Sequence, residues 1–188
     1  MSEPDGHDGF CRIPLSNELQ EILHASEQSS NRTEPAKISR QDIDLGELPW
    51  GPEKQNVARK ILEELGPHVK NWPGKEDLPK SWEGKDLVLY KGALLTPKNQ
   101  RDIYIARPFS GSTGAKFVIH NKATNTVEPL EWDESPAFAL MLEANVRIAM
   151  PYGSPIRFFL LGRQNEIKAV PPSYTVPVYA REAALRKE

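Results

Sequence analysis

Apolar positions recur every three to four residues in two places near the start of the chain, and every second residue through most of the remainder. Between Pro52 and Leu65, the residues Val57, Ala58, Ile61, Leu62 and Leu65 form one stripe, the period of a helix with one buried face. Pro52 suits a first helical turn, Glu53 suits the positive end of the helix dipole, and Gly66-Pro67 supplies a stop. The spacing predicts a helix over 52–65. A shorter stripe, Leu19, Ile22 and Leu23, lies within 15–24, where Ser16 can cap the first turn. So short a piece is unstable alone in water, so it docks on the body or on a partner.

After residue 85 the period falls to two. Segments 86–95, 102–109 and 115–121 fit strands. Ile103 and Ile105 alternate with Tyr104 and Ala106, and Phe117 and Ile119 alternate with Val118 and His120. Ser110 to Gly114 reads as a hairpin loop and 122–126 as a second turn, with a shorter strand at 127–132 limited by Pro129. The pattern then changes. Ser135-Pro136 reads as a cap with proline at the first helical position, and Phe138, Met141, Leu142 and Ala149 line one side. This predicts a buried helix over 136–149. A strand at 155–162, a returning piece at 166–170 and an extended segment at 173–179 complete the chain.

Hairpin-linked strands imply antiparallel pairing. The expected fold class is α+β: a mainly antiparallel sheet of five to seven short strands packed against two helices, with a flexible N-terminal arm. The arm covers 1–40. It holds the amphipathic segment 15–24, then a polar linker over 24–40 with too few apolar groups to offset the entropy of ordering. A single domain follows over 41–180, with a charged tail at 181–188.

Composition narrows the function classes. Cys11 is the lone cysteine among 188 residues, which excludes an intramolecular disulfide and fits a reducing compartment. No run approaches the length of a membrane span, and the first twenty residues lack a secretory pattern, so a cytoplasmic or nuclear location without membrane contact is expected. His7, His24, His68 and His120 are scattered, so no metal site is expected, and no motif calls for a cofactor. The loop 110–116 has the wrong glycine spacing for a phosphate loop. No catalytic residue is nominated.

The net charge of −2 conceals a reversal. Residues 91–122 carry six basic side chains and one acid, whereas 123–145 carry five acids and no Lys or Arg. Three functional expectations arise. The first is a non-catalytic protein–protein interaction module, an adaptor or assembly subunit, whose arm presents Leu19, Ile22 and Leu23 to another protein. The second is a single-stranded nucleic-acid or phosphate-ligand binder, with Tyr104, Arg107, Lys116, His120 and Lys122 combining a ring with cations on one sheet face. The third is a small-molecule enzyme or ligand-binding protein with a pocket between helix 136–149 and the sheet. Arg107, Lys116 and Lys122 can instead face Glu128 and Glu131 across neighbouring strands, which would cancel the reversal internally.

Overall fold

The computed structural model describes residues 5–30, 34–40, 43–72, 81–98, 100–108, 115–132, 137–149, 155–162 and 168–170. The expected loop 110–114, the acids Asp133 and Glu134, the segment 173–179 and the tail 181–188 lie outside these residues.

Mostly antiparallel sheet with two helices is what the chain forms, but the strands divide between two sheets. One runs β1 (Asp5–His7), β2 (Phe10–Pro14), β10 (Phe138–Leu142), β7 (Asp102–Pro108), β12 (Ile156–Gly162), β5 (Glu83–Lys91), β4 (Ile43–Leu48) and β3 (Ala36–Arg40), in that spatial order. The other runs β13 (Lys168–Val170), β6 (Ala93–Leu95), β11 (Val146–Ala149), β8 (Ala115–Asn121) and β9 (Thr126–Trp132). Every strand pairing among the described residues is antiparallel. From β5 onward the chain crosses repeatedly between the two sheets, as in a double-sheet jelly roll.

One expected strand, 86–95, is therefore two. Gly92 sits at φ 109°, a conformation that glycine reaches without steric cost, and there the chain leaves the large sheet for the small one. The largest correction concerns 136–149. No helix forms over its described residues; β10 and β11 occupy this stretch instead, joined by a tight turn in which Asn145 takes φ 65°. All five residues of β10 are buried, in the one core that also holds Leu19 and Leu23 of α1 and Phe117 of β8. Alternation is erased in a strand covered on both faces, and the continuous apolar run imitates a helix.

The two described helices are α1 (Asn17–Ser30) and α2 (Pro52–Asn71). Ser16 Oγ accepts from the Leu19 amide at 3.2 Å, the cap expected, and Glu64 of α2 accepts from Ser16 N and Oγ at 2.7 and 2.5 Å. Leu19 and Leu23 are buried in the chain's own core, with Ile22 packed beside them. Residues 24–40, expected as a linker, contain the rest of α1 and strand β3. α2 runs past the expected stop at Gly66-Pro67, with Pro67 inside it. Proline sacrifices one helical hydrogen bond, while continuation brings Val69 and Trp72 onto the core. The returning strand β13 pairs with β6 of the small sheet, not with β12 as the hairpin reading implied.

Candidate functional site

The strand registers assign each side chain a face. Leu140, Tyr104 and Leu160 lie in register on the large sheet, and their face looks toward the small sheet. Phe158 sits at ring-centroid distances of 5.9 Å from Tyr104 and 6.3 Å from Phe117 of β8, edge to face in both cases. Such geometry suits the aromatic quadrupole. Phe138, Leu87, Leu89, Leu94, Ile119 and Ile148 are buried around these rings. Among the described residues, these side chains form one buried layer between the sheets.

One carboxylate interrupts that apolar layer. Asp102, at the start of β7, is 2% exposed and accepts from Gln100 Nε2 at 2.7 Å. Burial pushes its carboxyl up to about 6, partly offset by the Gln100 hydrogen bond. Tyr104, two residues on and on the same face, is held well above its ordinary value, first by burial and then by the Asp102 charge. Its hydroxyl therefore stays protonated, while the Asp102 carboxyl changes charge near pH 6.

The opposite face of the large sheet lies under the helices and carries a charged ladder. Arg157 on β12 stands directly opposite Arg107 on β7. Arg157 donates from Nε and Nη2 to the two carboxylate oxygens of Asp86 on β5, at 2.7 and 2.5 Å. Lys54 of α2 reaches the same carboxylate at 2.6 Å and donates to the Pro49 carbonyl at 2.8 Å. Arg107 is paired with Glu27 of α1.

These placements separate the residues nominated for nucleic-acid binding. Tyr104 is buried between the sheets. Arg107 is on the opposite face, against α1. His120 belongs to the small sheet, is largely buried and lies 3.3 Å from Asn125 Oδ1. Lys116 is also on β8, in register with Glu131, and Lys122 is exposed in the β8–β9 turn. The five residues do not form one surface. The pocket expected against helix 136–149 lacks that wall, since the described part of the segment is strand.

A third region drew no notice in the sequence. On the outer side of α2 is an open groove of ≈ 580 Å³, lined by Pro52, Gln55, Asn56, Ala58, Arg59, Leu62, Glu63 and Trp82. Leu62 and Trp82 are partly buried against the core, and Arg59 and Glu63 pair across its rim at 3.2 Å. The signal for it was Trp82, an aromatic anchor in a polar connection. Among the described residues, no three His, Cys, Asp or Glu side chains gather where one cation could join them. No described helix is long and apolar enough to cross a membrane.

No family model and no curated protein sequence matches the chain. Among solved structures, a 7S globulin from Momordica charantia aligns with a TM-score of 0.32 at 10% identity, over 78% of this chain and 43% of that one, a score too low to argue from. A Pseudomonas putida prolyl-4-hydroxylase aligns with a TM-score of 0.53 at 11% identity, over 84% of this chain and 94% of that one. At that identity the likeness is one of fold.

Proposed function

We propose that this chain is a non-catalytic protein-interaction module, an adaptor or assembly subunit, and that it receives its partner in the groove over α2. The observation that carries this reading is the groove itself. Its floor is apolar, from Ala58, Leu62 and Trp82, and its rim is polar, from Gln55, Asn56, Arg59 and Glu63. An apolar centre inside a polar rim is the anatomy of a protein interface, and tryptophan is prominent among residues that anchor one. The hydroxylase likeness extends to the fold, and no step of that enzyme's reaction is carried over. The nucleic-acid reading draws no support from residues spread over separate faces.

The test is site-specific photo-crosslinking from position 55 in the full chain. A partner joined to the wild type and lost with Trp82→Ala supports the groove. The same partner retained at full yield in Trp82→Ala and Leu62→Asp, with both variants folded, overturns it.

A further inference from the structure

The outer face of the small sheet is buried, although no described helix or sheet lies over it. Leu94, Ile148 and Ile119 belong to the main core. Their neighbours Ala93, Ala149 and Val118 therefore take the other face, where they stand in register across β6, β11 and β8. Ala93 and Ala149 form an apolar cluster of their own, with Val127 packed against it. Ala93, Ala149 and Val118 are 0%, 1% and 2% exposed. An antiparallel sheet can leave one face to water, so burial this complete calls for a cover, and it is reached within one chain. Both described helices are tied to the large sheet, α2 through Lys54 and Asp86 and α1 through Glu27 and Arg107. The cover ends at β8, since Pro129 of β9, in register with Val118, is exposed.

We propose that residues 171–178 of the same chain form a strap across this face, from β13 over β6 and β11 to β8. β13 ends at Val170, in register with Ala93, so the chain leaves the sheet at one end of the buried row. From β13 to β8 is three strand spacings, about 14 Å, which about five extended residues span. Tyr174, Val176 and Val178 alternate with Thr175 and Pro177, which gives an extended segment one apolar side. Residues 169–180 include no Asp, Glu, Lys or Arg, so the strap brings no charge onto the row. Pro171, Pro172 and Pro177 lack the amide donor that a central strand uses, which suits a crossing over side chains and not a place in the ladder. Lifting the strap bares the apolar row together with Arg147 and His120, which stand in register beside it. This face is separate from the groove over α2, and the strap does not depend on the partner reading.

The experiment places a diazirine-bearing leucine analogue at position 176 of the full chain and maps its photoproducts by peptide mass spectrometry. Cross-links within one chain to β6, β11 or β8 are expected. Products that reach none of these strands overturn the strap, and leave the face to another segment such as the loop 109–114. Cross-links found only between an isotope-labelled copy and an unlabelled one overturn its assignment to the same chain. Thermal unfolding of two further variants gives an independent reading. Val176→Asp, on the apolar side of the strap, is expected to lower the midpoint, and Thr175→Asp, on its other side, to leave the midpoint near that of the wild type. A Val176→Asp midpoint equal to wild type, or equal losses in both variants, overturns the proposal.

Discussion

Gly84 lies flat beneath the indole of Trp50, and a Cβ at position 84 would overlap the six-membered half of that ring. Trp50 also packs on Phe159 at 4.9 Å between ring centroids and donates from Nε1 to Gln55 Oε1 at 2.9 Å. The glycine at the start of β5 thus seats the residue that leads into α2. Glycine here is a matter of close approach. Gly84→Ala is expected to displace Trp50 and destabilise the fold by about 1–3 kcal/mol, the usual cost of overpacking. Denaturant unfolding followed by tryptophan fluorescence checks this. An unchanged midpoint and native spectrum would show that the indole has room to move.

Asp86 holds two cations at once, so its removal should cost more than removal of either. Asp86→Asn leaves Lys54 and Arg157 facing each other without a carboxylate, and breaking a buried pair in this way costs about 3–5 kcal/mol. Lys54→Met leaves the two-point Arg157–Asp86 pair in place and should cost clearly less. Urea unfolding of both variants compares them. Equal losses would mean that α2 is held to the sheet mainly by its apolar stripe, not by the ion pairs.

α2 and the strands β7, β8 and β12 were legible in the sequence, although β12 is buried along its whole length; β10 was not. α2 follows from Val57, Ala58, Ile61 and Leu65, and β8 follows from Phe117 and Ile119 alternating with Val118 and His120. β10 is the opposite case: Phe138 to Leu142 is apolar throughout, and length and period cannot separate a short buried strand from a helix turn. The division into two sheets hinges on Gly92, whose positive φ shows only in the backbone. The site residues divide in the same way. Asp102 stands out in sequence as an acid opening an apolar strand, but Glu27 and Arg107 are eighty positions apart, and no local pattern joins them. Of the basic residues in the charge reversal, Arg107 pairs with Glu27, which lies outside the acidic stretch.

Asp8 fastens the β1–β2 turn to the small sheet. It accepts from the hydroxyls of Thr124 and Thr126 and from Asn121 Nδ2 at 3.1 Å. Beside it Gly9, at φ 84°, accepts from the Glu143 amide at 2.9 Å. The Thr124 hydrogen bond, then that from Thr126, holds the Asp8 carboxyl below its ordinary 3.8. A depressed folded value means that the clasp contributes fully above 3.8 and is lost as pH falls through the lower value. Asp8→Ala should therefore speed amide exchange in β2 at neutral pH, and the wild type should show the same acceleration only in strong acid. Exchange rates in β2 that ignore both changes would leave Phe10 and Ile13, buried in the core, as the real anchors.

Asp102 predicts a pH dependence of the opposite sign. Its carboxyl titrates near 6 in the folded chain, against 3.8 for the ordinary group. Below 3.8 both states are protonated and Asp102 costs nothing. Between 3.8 and about 6 the unfolded chain has released its proton while the folded chain keeps it, so stability falls as pH rises. Above 6 the charged carboxylate is buried with Gln100 as its donor, and the accumulated penalty is roughly 3 kcal/mol. Asp102→Asn keeps an oxygen to accept from Gln100 Nε2 and removes the charge. The variant should match the wild type near pH 4, exceed it in unfolding free energy at pH 7.5, and lose the decline between those values. Denaturant titrations of both proteins at closely spaced pH values decide it. A variant no more stable at pH 7.5 than at pH 4, relative to wild type, would mean that the charged Asp102 is answered by groups other than Gln100. The expected outcome would make this carboxylate a standing cost within a packed aromatic interior.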